Sequence, residues 1–310
     1  MSSLNTNIAA MTALQTLRST NSELLQTQNR ISTGLRVSSA SDNAAYWSIA
    51  TTMRNDRQSI STVSDALGLG SATAEIASKG IESAIKIASE IKDKLLAART
   101  PGVDRSKIQA EIGELQESLK AVVDGASFNG QNWLKTDSSE ESARTIVSSF
   151  SRGSDGKISI GTISVDLGET RLIDSTASTG ASTGGILDGE IAMASGSDTV
   201  TVLDLDISAL EDTEDDLADL EAMISGVDAA IEKMTDAAST LGAVKTRIDI
   251  QKDFADSLMS AIDKGVGQLV DADMNEESTR LQALQVRQQL GIQALGIANQ
   301  SAQSILSLFR

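Results

Sequence analysis

The sequence of 310 residues contains neither cysteine nor histidine. Without cysteine there is no disulfide frame and no thiolate metal site. Without histidine the commonest transition-metal ligand and the usual general base are missing, so hydrolytic triads and His-dependent zinc centres lack essential parts. Proline occurs once, and aromatic side chains make up 2% of the chain. Apolar content is still 40%. That is enough for a core, and interiors of Ala, Ile, Leu and Val with few rings suit close helix-on-helix contact. Cations are scarce as well: 26 Lys and Arg against 43 Asp and Glu give a formal net charge of -17. Nucleic acid is disfavoured, because phosphate neutralisation needs clustered Lys and Arg, and so is an acidic membrane surface. No window reaches the apolar length of a membrane span, so no membrane insertion is expected. The opening MSSLNTNIAAMTALQ lacks the cationic start and cleavage site of a secretory signal.

What is present is periodicity. From Ile49 a seam through Ile60, Val63, Leu67, Ile81, Ile91 and Leu95 alternates steps of four and three, the heptad pattern of a coiled coil. Thr100, Pro101 and Gly102 end it. A second helix with Asp104 as N-cap continues through Ile112, Leu115 and Leu119, and the short link implies an antiparallel hairpin. SFNGQNWL reads as a turn around Asn129-Gly130. A third seam holds Leu217, Leu220, Ile224, Val227, Ile231, Leu241 and Ile248, and the acidic run from Glu211 to Asp216 marks its start, where negative charge suits the helix dipole. The segments Asp204-Leu-Asp206 and Asp271-Ala-Asp273 lack the glycine and the distal Glu of a calcium loop. No metal or other cofactor is expected, and nothing suggests catalysis.

Residues 136 to 210 change character. KISIGTISVDL alternates with a phase slip at Gly161-Thr162, RGSDG is a turn, VTVLDLDI reads as another strand, and STASTGASTGG reads as a surface loop. The fold class expected is mainly α: a long antiparallel coiled-coil rod formed by both chain ends, with a small β-rich insertion in the middle.

The two ends are almost free of charge. Leu4, Ile8, Met11, Leu14, Leu17 and Leu24 form one helical stripe; Leu284, Leu290, Ile292, Leu295, Ile305 and Leu308 spread over more than one face of another. A helix apolar on several faces must be covered on several faces. Periodicity alone leaves two readings open, contact with other molecules or a tail folded back in a two-helix stalk.

The segment NRISTGLRVSSASDNAAYWSIA, with Arg30, Gly34, Arg36, Asp42 and Asn43, closely resembles the amino-terminal signature of bacterial flagellins. IQAEIGELQESLKAVVDGASFNG resembles their second helix and turn, and TRLQALQVRQQLGIQALGIANQSAQSILSLFR their carboxy-terminal helix. The version with Tyr46 and Trp47 is similar to flagellins of rhizobia and agrobacteria. The resemblance implies inner-core terminal helices at 1–42 and 270–310, a coiled-coil rod at 43–135 and 211–269, and a short exposed insert at 136–210. It implies a structural subunit, not an enzyme, that polymerises with its own copies into the extracellular flagellar filament. The twelve terminal residues just named then become polymer contacts. It also implies type III export without cleavage, a flagellin export chaperone, a filament cap and hook-filament junction proteins as partners. The alternative within the same apparatus is a hook-filament junction protein, and a different class is a monomeric coiled-coil adhesin or stalk. In some flagellins an innate receptor reads an Arg and a Leu on the first long helix and a Glu on the second; alignment brings Ile91, Leu95 and Ser118 to those positions.

Overall fold

The computed structural model describes residues 7–137, 143–153, 155–175, 184–194, 196 and 199–308, the side chains from 301 onward excepted. Five helices dominate: α1 Ile8–Thr33, α2 Ala44–Ala98, α3 Arg105–Gly125, α4 Glu214–Val270 and α5 Met274–Leu308. Between α3 and α4 lie short strands: β1 Ser127–Phe128, β2 Gln131–Asn132, β3 Lys135–Thr136, β4 Ala143–Arg152, β5 Ile158–Asp166, β6 Ile173–Asp174, β7 Ile191–Ala192 and β8 Thr199–Val200. The fold is mainly α, with its terminal helices in contact and a β-rich insertion. It divides into two compact units, Met1–Gln58 with Met259–Arg310, and Ser59–Leu258.

In the unit Ser59–Leu258, α2 and α4 run antiparallel. Ser64 donates to Asp256 at 3.1 Å, Ser71 donates to Asp249 at 2.9 Å, Lys92 pairs with Asp228 at 2.9 Å and Arg99 pairs with Glu221. Each step along α2 is matched by an equal step back along α4, and the steps are multiples of a heptad. Polar partners beside an apolar seam set its register; exposed pairs of this kind add about 0–1 kcal/mol each. The stability comes from the seam itself. Ile60, Val63, Leu67, Ile81, Ile91, Leu95, Ile112, Leu119, Val227, Leu241 and Ile248 are all buried. On α4 the most buried positions include Met223, Ala230 and Ala237, while Ile224 and Ile231 pack partly buried beside them, as Leu115 does on α3. The stripe on α4 is thus wider than the single seam read from the sequence.

Residues of the insertion share that core. Ile146, Ile163, Val165, Leu172, Leu187, Leu203 and Leu205 join the helical residues in one cluster. The β4-β5 hairpin carries its register shift between Val147 and Ser149, opposite Thr162 and Gly161. That bulge changes which residues face inward: Ile163 and Val165 are buried, while Ile158 and Ile160 are exposed. Three helix glycines admit the insertion or its flanks. A Cβ on Gly70 would meet Ile146 at 2.6 Å, on Gly80 Leu134 at 2.7 Å, and on Gly226 Ile191 at 2.5 Å.

One expectation needs correction. The strand expected over VTVLDLDI is confined to Thr199–Val200; a 3-10 turn, Val202–Asp204, follows. Side chains of α3 take up the backbone groups that a ladder would have used. Gln109 donates to Leu205 O at 3.0 Å and accepts from Ile207 N at 3.0 Å, and buried Gln116 donates to Val202 O and Leu205 O, both at 3.2 Å. Asp104 stands at the N-cap of α3 but binds no helix amide there; it accepts from the Ser106 hydroxyl at 2.7 Å. The end of α2 is instead tied by Arg105, which is buried and donates to Ala98 O at 3.1 Å, Leu210 O at 2.9 Å and Asp212 at 2.5 Å. At the start of α4, Thr213 accepts from Asp216 N at 3.2 Å while Asp216 accepts from the Thr213 hydroxyl at 2.7 Å. The loop read over residues 175 to 185 lies largely outside the described residues.

Candidate functional site

The charge-poor helices α1 and α5 pair antiparallel. Asn7 donates to Ala298 O at 2.9 Å, Gln288 donates to Asn21 at 2.7 Å, and Arg30 binds Glu277 at 3.1 Å. The least exposed residues of α1, from Ala10 and Ala13 through Leu17, Thr20, Leu24 and Thr27 to Ile31, repeat three and four apart, as do Leu281, Leu284, Gln288, Gly291, Leu295 and Ala298 on α5. Several are small, which permits close approach: a Cβ on Gly291 would lie 3.2 Å from Leu17 Cδ1.

One apolar face of each helix is therefore used within the chain. Leu284 is 3% exposed and Leu17, Leu24 and Leu295 are half-buried in the same seam. Leu284, read from the sequence as a polymer contact, is buried on the single chain. The other faces stay open. Ile8 and Met11 are each 65% exposed, and Leu14, Leu25, Val286, Leu290, Ile292 and Ile297 also point outward. Leu4 and the side chains of Ile305 and Leu308 lie outside the described residues. The terminal segment thus does both things that its periodicity allowed, folding back with one face and leaving others uncovered.

The signature residues build the junction at the base of this pair. Gly34 ends α1 with φ +70°, a left-handed conformation that favours glycine, and its N–H donates to Arg30 O at 2.8 Å. The chain then meets the end of α4: Arg36 N donates to Val270 O at 2.6 Å, and the Arg36 guanidinium donates to Gln268 O at 3.3 Å and Leu269 O at 3.1 Å. Those carbonyls have no partner within the helix, so Arg36 acts as a cationic C-cap. Asp42 gathers Ser38 and Ser39 through their amides at 3.0 Å and through both hydroxyls. The Ser39 and Ser38 amides, followed by the Ser38 hydroxyl, hold its carboxyl below the usual range. Asn43 then caps α2, accepting from Tyr46 N at 3.2 Å. Val37, Ala50, Val266 and Val270 form a small core under the turn.

Glu277, with a side chain 6% exposed, faces Arg30 and lies 3.6 Å from Arg280. It fixes α5 against α1 at the junction, a contact that seam periodicity did not reveal. Among the described residues no group of three or more acidic side chains is placed to hold a metal ion, and no helix is long and apolar enough to cross a membrane.

The chain matches the family model for the bacterial flagellin N-terminal helical region over residues 4–139 and the model for the C-terminal helical region over residues 224–309. The chain belongs to the bacterial flagellin family. It is 46% identical to Flagellin C of Rhizobium meliloti over 320 aligned residues, with all of both chains covered. It is 41% identical to Flagellin A of the same species over 395 aligned residues and 41% identical to a flagellin of Brucella melitensis over 312, again with full coverage of each. The residues matched include both terminal helices and the junction. At the positions that alignment with flagellins brings to the receptor contacts, Ile91 and Leu95 are fully buried on the folded chain and Ser118 is exposed.

Proposed function

We infer that this flagellin is the structural subunit of an extracellular flagellar filament, in which the terminal helix pair carries the contacts between copies. The observation that supports this reading is the open apolar face of a pair that carries little charge. Ile8, Met11, Leu14, Leu290 and Ile292 stand in water on the single chain. Burying side chains of this kind yields up to about 1.5–3 kcal/mol each when fully exposed beforehand, and no nearby Lys or Glu has to be desolvated at the same time. The role is structural rather than catalytic. Other copies of the chain are the principal partner. A flagellin export chaperone, a filament cap and hook-filament junction proteins are the assembly partners that family membership brings.

The rod seam supplies stiffness in this reading, and Arg30, Gly34, Arg36, Asp42 and Asn43 set the geometry of the junction rather than touching a ligand. Full-length coverage by flagellins favours the filament subunit over a hook-filament junction protein. Electron microscopy of the purified chain with filament seeds tests the assignment, comparing it with a deletion of residues 281–310. Filaments from the full chain alone are expected; polymerisation of the deleted form would overturn the role given to the terminal pair.

A further inference from the structure

With no cysteine, the sulfur of this chain is confined to eight methionines, whose thioethers are open to two-electron oxidants. Their surroundings differ widely. Met223 is 1% exposed and Met234 is fully buried in the rod core, while Met53, Met193 and Met259 are half-buried. Met274 is exposed in the first turn of α5, close to the acidic Glu276 and Glu277. Met11 is 65% exposed and stands between exposed Ile8 and Leu14, three residues from each, so the three make one ridge on the open side of α1. That ridge is uncharged. The Thr12 and Thr16 hydroxyls beside it donate back to the carbonyls of Ile8 and Thr12 at 3.0 Å, and the nearest ionisable side chain that follows on α1 is Arg18. The facing stretch of α5, residues 288–298, carries none. Met11 is thus the member of the ridge whose polarity a chemical step can change.

We propose that Met11 is an oxidation site at which peroxide blocks entry of the free chain into a polymer. The proposal rests on the filament reading and adds a control to the same contact. A lone pair of Met11 Sδ attacks one oxygen of hydrogen peroxide. The S–O bond forms as the O–O bond breaks, the proton on the transferred oxygen passes to the departing hydroxide, and water leaves. Sulfur is oxidised by two electrons and the peroxide reduced by two. The product is methionine sulfoxide, a polar group where an apolar one stood. On the free chain its oxygen is hydrated and disturbs nothing. At a contact between copies it must shed that water in the middle of an uncharged ridge, or keep the water and break the packing. Once the ridge is covered by another copy, the thioether is shielded from the oxidant.

The test treats unpolymerised full-length chain with hydrogen peroxide until it is partly oxidised, removes the peroxide and offers the chain to filament seeds. Peptide mass spectrometry then reads Met11 sulfoxide in the filaments and in the chain left in solution. Met11 is expected to oxidise well ahead of buried Met223 and Met234, and its sulfoxide to be depleted in filaments by at least about tenfold, the factor that about 1.4 kcal/mol supplies. Equal sulfoxide in both fractions overturns the proposal and leaves the filament reading intact, as does a Met11 that resists peroxide as long as Met223. Met11 in assembled filaments should resist the same treatment; oxidation there as fast as on the free chain overturns the shielding. The loss of growth on peroxide treatment should shrink in Met11→Leu, each chain being compared with its own untreated sample. An undiminished loss in that variant puts the effect at another residue and overturns the site. Failure of the untreated, unaltered chain to polymerise overturns the filament reading, and this proposal with it.

Discussion

Replacing Gly80 by alanine sets two effects of known size against each other. Both Gly80 and Gly68 lie inside α2, where glycine costs about 1 kcal/mol relative to alanine. At Gly68 no heavy atom lies within 4 Å of the added methyl, so Gly68→Ala should collect that gain in full. At Gly80 the methyl would stand 2.7 Å from Leu134 Cδ1 and 2.9 Å from Ala126 Cβ. Leu134 is fully buried and has little room to turn, and Ala126 Cβ moves only with the backbone at the end of α3. Overpacking of this kind costs about 1–3 kcal/mol, so the clash outweighs the propensity gain and leaves a net loss of about 1 kcal/mol. The two variants should thus differ by about 2 kcal/mol, or about 4–8 °C in Tm for a unit of this size. Circular dichroism melts of the unpolymerised chain measure the difference. Equal stabilisation by both substitutions would refute the claim that the insertion is seated on α2 through that glycine.

Arg105→Ala should destabilise the chain by about 2–3 kcal/mol, because it strips the carbonyls of Ala98 and Leu210 of a charged donor; the half-exposed Asp212 adds little. Urea denaturation yielding a loss below about 0.5 kcal/mol would contradict that role. Burial, with Asp174 and Asp204 nearby, pushes the Asp188 carboxyl up. A carboxyl raised in the folded chain binds more protons there than in the unfolded chain, so its ionisation costs stability above the folded pKa and nothing below the unfolded one. Asp188→Asn keeps an acceptor for Asp174 N and should raise Tm at neutral pH, with the gain fading in acid; a gain undiminished below the ordinary carboxylate range would count against this. Asp42 has the opposite sign: its stabilisation of the turn is present above the ordinary value of 3.8 and lost as pH falls through the lowered folded value. Hydrogen exchange at Ser38 and Ser39, corrected for its intrinsic pH dependence, should show protection lost across that window in the native chain but not in Asp42→Asn.

Much of the fold was legible because heptad spacing reports which face a helix buries, and that holds whatever the helix packs against. Every residue of the α2 seam from Ile60 to Leu95 follows that rule, and the Asn129-Gly130 turn and the bulge near Gly161 follow from local backbone preferences. The register of α2 on α4 was present too, in Ser64, Ser71, Lys92 and Arg99 recurring at heptad multiples opposite acidic residues, but pairing them required knowing which helices meet.

Tertiary structure decided what periodicity could not. The same apolar stripe suits a partner within the chain or outside it, so only the pairing of α1 with α5 separates covered Leu284 from open Leu290 and Ile292. The alternation of VTVLDLDI could not reveal that Gln109 and Gln116 would satisfy its backbone in place of a neighbouring strand. Nor does any spacing announce Glu277 opposite Arg30, since residues distant in sequence build that contact. By itself the sequence determined the helices, their faces and the family, because those depend on local spacing and on residue identity along the chain. Which apolar faces remain free for another molecule is a property of the packed chain, because burial is settled only after each helix has chosen its neighbour.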